Sequence, residues 1–255
     1  MHSARKLLIA VLTVFMTLAV AVTAQPASAE AALPQPYGRI ASTLQHRDGT
    51  ITVVGWAYDR SRPDTSITAC LVVVGKCVRA VRANRASKNF DRQHHITGAH
   101  TFRALVPASR RGVTVQLRAY PGPSTLLNSV HVLSPGARVI RLARRYVGRT
   151  PYVYGGASPR SGFDCSGYAM YTYKHAKVAN LPHNAEAQRH ARHMHRIPRS
   201  KARPGDLIFY FAGGSAYHVA IYAGHGRQYS ATDPQQGIRY QKVWAHNIEF
   251  RSDWH

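Results

Sequence analysis

Between residues 37 and 132 short apolar runs alternate with turn residues. Residues 51–58 follow an Asp48-Gly49 turn, and 67–74, 77–81, 101–106, 113–119 and 126–132 continue the pattern. Arg62-Pro63-Asp64 and Pro121-Gly122-Pro123 read as breakers between them. Several β-rich runs, turn signals and no helical period predict an all-β unit over 30–133, a small sandwich or barrel. Trp56 falls inside the first run, where a large aromatic is expected to anchor a core.

The pattern changes at Ser134. A serine followed by Pro135 is a helix start, and Val139, Leu142, Ala143, Tyr146 and Val147 recur at helical spacing, predicting a helix over 135–147. Further helices are expected over 165–178 and 185–194, and strands over 207–211, 217–222, 228–231 and 237–243. Helices first and strands after define an α+β class for 134–255, so the chain reads as two domains meeting near residue 134. At the other end, Arg5 and Lys6 precede an apolar run of 16 residues (7–22) and Ala27-Ser28-Ala29. That is a signal peptide over 1–29, too short in its apolar part for a membrane span. Secretion follows, without stable membrane insertion after cleavage.

Charge and cysteines sharpen this picture. The net charge is +23, of which Arg5 and Lys6 contribute only two. Such a chain seeks an anionic partner unless the arginines merely reflect amino-acid usage. An exported protein rarely meets nucleic acid, so anionic wall polymers fit better. Three cysteines make an odd count. Cys70 and Cys77 flank a strand running into a turn and are expected to bridge a hairpin, leaving Cys165 with another job. A free thiol outside the cell is a liability unless it is used.

Cys165 lies where Asp164-Cys165-Ser166-Gly167 turns from loop into helix, and a helix N-terminus stabilises a thiolate. His218 opens the strand over 217–222, which can hold an imidazole rigidly. His190 and His193 lack a third ligand at fitting spacing, and there are no paired carboxylates for glycosidase work. No metal or cofactor is expected.

Four blocks occur in order: Pro151-Tyr152-Val153-Tyr154-Gly155-Gly156 with Gly162-Phe163-Asp164-Cys165-Ser166-Gly167; Leu181-Pro182-His183 with Gln188; Pro204-Gly205-Asp206-Leu207-Ile208-Phe209; and His218-Val219-Ala220-Ile221-Tyr222-Ala223-Gly224. Over 137–245 the chain resembles the NlpC/P60 cysteine peptidases. The resemblance implies a papain-like α+β fold and hydrolysis of peptidoglycan stem peptides, often at the γ-D-glutamyl to diamino-acid bond. It implies Cys165 as nucleophile, His218 as base, and a Tyr152 hydroxyl beside the sulfur. Asp164 and Ser166 match groove-lining positions, although Asp164 also suits a plain N-cap. The backbone N–H of Cys165 would serve the oxyanion hole.

One position departs from the family. The third polar residue, usually histidine, falls 12 positions after the base and is Ser230 here. A three-residue loop over 224–226 would set Ala220 opposite Ser230, with His218 diagonal on the same face. A two-residue loop would pair Ser230 with Ile221 and turn it away. Thr232 and Asp233 are nearby substitutes. Serine can fix the ring tautomer without charge; for a thiolate–imidazolium pair already charged at rest, that weakens catalysis rather than abolishing it. Two other readings stand beside the endopeptidase: an amidase or acyltransferase on the same fold, and a non-catalytic wall-binding scaffold.

Overall fold

Every second residue of the first long run turns inward. Ile51, Val53 and Ala57 are fully buried in one core cluster, as a period of two requires. The structure is a computed structural model that describes residues 34–46, 48–107, 112–120 and 125–254. The expected signal peptide (1–29) and the turn at Pro121-Gly122-Pro123 lie outside the described residues. In chain order the first half comprises β1 (Pro36–Gln45), β2 (Thr50–Asp59), β3 (Arg62–Ser66), β4 (Thr68–Val73), β5 (Lys76–Arg82), β6 (Arg85–Ala86), α1 (Lys88–His94), β7 (Ala99–Pro107), β8 (Val113–Ala119) and β9 (Leu126–Val132). One sheet runs β1-β2-β7-β6 with β3 also on β2, and a second runs β5-β4-β8-β9. Both contribute to one core, with Phe102 from the first sheet and Leu71, Val115 and Leu117 from the second.

Two expectations need correction here. Arg62-Pro63-Asp64 is not a breaker but lies within β3, which pairs antiparallel with β2; an edge strand tolerates a proline because its missing N–H leaves no ladder bond unmade. A helix, α1, was not foreseen, and it is capped by Ser87, whose side chain accepts from the Phe90 N–H. Trp56 is buried, but beneath Phe90 and His94 of α1 (ring centroids 5.3 and 4.6 Å) rather than among the residues between the sheets. Cys70 and Cys77 form a disulfide. Cys77 pairs with Val72, so Cys70 sits diagonally across the β4–β5 hairpin.

The second half contains α2 (Pro135–Ala143), β10 (Ala157–Ser158), β11 (Gly162–Phe163), α3 (Cys165–His175), α4 (Ala185–Arg189), β12 (His195–Ile197), β13 (Leu207–Ala212), β14 (Ser215–Gly224), β15 (Arg227–Ala231), β16 (Ile238–Lys242) and β17 (Ile248–Ser252). Ser134 caps α2 through the Ala137 N–H, with Pro135 in the first turn. Helix α3 stops short of residue 178 because Lys177 takes a left-handed conformation (φ 55°), and α4 is half its expected length. Six strands order as β12-β17-β13-β14-β15-β16. Leu207, Phe209, Val219 and Ile221 pack with Val139, Tyr168 and Tyr173 of the helices. Ile208, Tyr210, Ala220 and Phe250 form a separate cluster. Strands β12 and β17 were unforeseen; Glu249 and Arg251 give β17 a charged look, yet it pairs with both β12 and β13. No helix among the described residues is long and apolar enough to cross a membrane.

Candidate active site

The site is built from the tip of α3 upward. Asp164 is the N-cap: Oδ1 accepts from the Gly167 N–H at 2.6 Å and from the Ser166 hydroxyl at 2.9 Å. Oδ2 accepts from the Gly155 N–H at 3.0 Å and from His183 Nε2 at 2.9 Å. One buried carboxylate therefore ties the helix start, the 155–156 loop and the segment before α4 together. Gly167 permits this closeness, since a Cβ there would lie 2.1 Å from the Gly156 carbonyl oxygen. Behind the tip, Gln188 donates to the carbonyls of Ser166 and Pro182. Ser166 is buried with its hydroxyl on Asp164, so both side chains expected to line a groove hold the helix tip.

Cys165 is half-buried at the first helical position. Burial pushes its thiol up; opposing this, the N–H groups of Val219, Ser166 and Cys165 itself stabilise the thiolate, while Asp164 adds to the rise. Val219 follows His218 in β14, which sets the sulfur beside that strand. Tyr152, half-buried, has its hydroxyl pushed up by burial first, with Cys165 and Asp164 adding to the rise.

His218 is 7% exposed. Its Nε2 shares a 2.7 Å hydrogen bond with the hydroxyl of Ser230, itself fully buried. The hairpin that brings them together is neither of the two loops considered from sequence. Gly224 pairs with Arg227 around a two-residue turn, but a bulge between Tyr222 and Gly224 shifts the ladder, so Tyr222 faces Gln228 and Ile221 faces Tyr229. Continuing that register sets Ala220 opposite Ser230. The turn needs Gly224 (φ 88°), His225 (φ 51°) and Gly226 (φ 68°) all in left-handed space, which two glycines make inexpensive. Thr232 and Asp233 are engaged elsewhere, Thr232 accepting from Gln241 and Asp233 capping the 233–236 turn.

Aromatic rings enclose the imidazole. Tyr210 meets it edge-on at 5.5 Å, and Trp244 lies 5.3 Å away while stacking on Tyr210 at 4.6 Å. Tyr210 in turn donates to Gln228. Sequence reading missed Tyr210, Gln228, Trp244 and the use of His183; His183 lay inside a recognised block, whereas no local pattern marked Trp244. Burial holds the His218 imidazole down at about 4, with Asp164 opposing. Both shifts favour a neutral thiol and a neutral imidazole at rest, a correction to the charged pair expected from the helix tip. Desolvation of two groups outweighs the dipole of one helix end.

The same burial makes stability depend on pH. Between pH 6.5 and 4 the unfolded chain takes up a proton at residue 218 that the folded chain refuses, so stability falls as pH falls through that window. The full loss is about 3 kcal/mol. Urea unfolding at pH 7 and pH 4 should therefore show the parent losing about that much more than His218→Gln; equal losses would mean the ring is not held neutral.

Among the described residues no group of three or more His, Cys, Asp or Glu is arranged to hold a metal. His190 instead bonds Glu186 one turn back (2.9 Å), and Glu186 also accepts from the Ala216 N–H, tying α4 to β14.

A cysteine at a carboxylate-braced helix tip thus lies beside the strand that carries a buried, hydrogen-bonded histidine. The family model that matches the chain is that of the NlpC/P60 family, over residues 148–249. That segment is an NlpC/P60 domain. The murein DD-endopeptidase MepH of Escherichia coli (strain K12) is 43% identical over 79 residues, 30% of this chain and 29% of MepH. The bifunctional muramidase/DL-endopeptidase CwlT of Bacillus subtilis (strain 168) is 37% identical over 108 residues, 41% of this chain and 31% of CwlT. The chain thus spans less than a third of either relative. Among solved structures, the NlpC/p60 domain of the peptidoglycan hydrolase SagA is similar over 46% of this chain and 96% of that one, at 36% identity and a TM-score of 0.41.

Proposed function

We propose that the protein is a secreted cysteine endopeptidase that cuts an amide bond in peptidoglycan stem peptides, the γ-D-glutamyl to diamino-acid bond being the first candidate. The observation that carries this reading is the Ser230–His218 bond beside the Cys165 helix tip. On this reading residues 134–254 form a papain-like α+β domain distinct from the largely β residues 34–133, supported by their separate buried clusters.

The chemistry follows from the hydrogen bonds. With the Nε2 proton donated to Ser230, the Nδ1 lone pair of His218 is left to take the Cys165 proton as sulfur attacks the scissile carbonyl. The new C–S bond sends the carbonyl electrons to an oxyanion, which the Cys165 N–H at the helix start stabilises. Collapse breaks the C–N bond; the imidazolium returns its proton to the leaving amine, and a thioester remains. Water then attacks, His218 takes its proton, and the acid and free thiol are released. A buried ring with a pKa near 4 gives its proton up readily, which suits the acid half of the cycle. Asp164 and Ser166 act as positioning residues for the nucleophile. Tyr152 borders the sulfur and the substrate.

Incubation of the full chain with purified wall, followed by identification of the released fragments, tests activity and bond together. The scaffold reading has one observation in its favour, the thiol pushed up by burial, and predicts no fragments. Release from an ester or lactyl amide instead of a stem-peptide bond would favour the amidase or acyltransferase.

Ser230→Ala removes a neutral hydrogen bond worth about 1–2 kcal/mol, so kcat should fall roughly 5- to 30-fold with KM little changed. An unaltered kcat would show that Ser230 does not orient the ring.

A further inference from the structure

An open cleft of about 650 Å³ lies in the first half of the chain, remote in sequence from the residues of the candidate active site. Its rim carries Arg79 and Arg82 of β5, Arg85 of β6 and Arg103 of β7. All four are exposed, and Val81 and Phe102 give it a buried apolar floor. No carboxylate lines it. Two acids of this region serve other partners: Asp48 accepts from Thr50, and Asp59 accepts from Ser61 and faces Arg62 at 3.6 Å. Four guanidiniums gathered from two sheets around one cleft repel each other, and an anion lying between them relieves that repulsion. Planar guanidinium forks match phosphate oxygens in a bidentate way. The four arginines are spread over β5, β6 and β7 along an open cleft of about 650 Å³, room that suits an extended ligand better than a single small ion.

We propose that this cleft binds a phosphodiester-linked anionic wall polymer and holds the chain in the wall. The choice of polymer rests on the hydrolase reading above. A tether made to stem-peptide carboxylates would be severed by the enzyme's own cuts, whereas a phosphodiester chain is not its substrate. The apolar floor accepts the sugar or polyol face between successive phosphates.

The test uses the full chain carrying Cys165→Ala, so that retention is read without digestion. Its probes are sacculi that keep their phosphodiester polymers, the same sacculi stripped with hydrofluoric acid, and phosphatidylglycerol vesicles, each at rising salt. The expected result is salt-sensitive retention on intact sacculi and its loss on stripped ones. Arg79→Gln/Arg82→Gln/Arg103→Gln should weaken retention at least tenfold, and the corresponding lysine triple, which keeps the charge but not the bidentate fork, should lose less than the glutamine triple. Equal retention by the glutamine triple, persistence on stripped sacculi, or preference for the vesicles would each overturn the proposal. A thermal melt matching the parent excludes unfolding as the cause; should the triple melt early, Arg103→Glu must show the same loss of retention. Failure here leaves fragment release by the unsubstituted chain untouched, so the two readings fail separately.

Discussion

Cys165→Ala should reduce release of stem-peptide fragments by at least about 10⁴-fold while leaving the melting temperature nearly unchanged. The thioester route passes through one sulfur, and alanine removes the atom that forms the bond. The oxyanion donor would survive, because a backbone N–H does not depend on the side chain, so a small residual rate over water is expected. Serine at the same position should do little better. Its hydroxyl ionises far above a thiol, and a His218 ring held at about 4 is a weak base for it. The measurement is fragment release from purified wall, set against a thermal melt of the same preparations. Cleavage that survives in the alanine variant would remove the nucleophile from the mechanism.

Asp164→Ala should cost about 3–5 kcal/mol of stability, since four hydrogen bonds end on that one buried side chain. The helix loses its cap, about 1–2 kcal/mol, and the Gly155 N–H and the part-exposed His183 ring lose their acceptor, together about 2–3 kcal/mol, the low end for unsatisfied groups because water reaches His183. A drop of roughly 6–20 °C in melting temperature follows for a chain of this size. Activity should fall further than stability alone dictates, because the Cys165 sulfur rides on the helix tip that Asp164 fixes. Asp164→Asn discriminates between cap and brace. An amide oxygen can still cap α3, but its NH₂ meets the Gly155 N–H or the His183 ring. If the Asp164→Asn variant melted with the parent, the brace would be of no account and the cap would be the whole contribution.

Local chemistry made much of this legible before any coordinates. The N-cap and proline at 134–135 announced α2, alternation announced most strands of the first half, and the Asp-Cys-Ser-Gly turn announced the start of α3. These features depend on neighbours within a turn or a strand, so short-range rules reach them. The family blocks added the expectation that Cys165 works with His218, far along the chain. Other features were out of reach for a physical reason: they depend on groups brought together from far apart. Helix α4 ended early, and β12 and β17 appeared, because β17 is stabilised by ladders to β12 and β13 rather than by an apolar pattern of its own.

The register at Ser230 marks the division most clearly. Two glycines flanking His225 announced a tight turn, and counting residues left two incompatible ladders open. A bulge in β14 chose between them, and a bulge is selected by the packing on both faces of the sheet. The protonation of the pair has the same character. A cysteine at a helix start argues for a thiolate, but its burial and that of His218 depend on Tyr210, Trp244 and the strands around them. Composition, the Cys70–Cys77 pairing and the family blocks of the second half were thus written in the order of residues. Register, burial and the resting charge of the site arise from long-range contacts, whose energies no window of neighbouring residues contains.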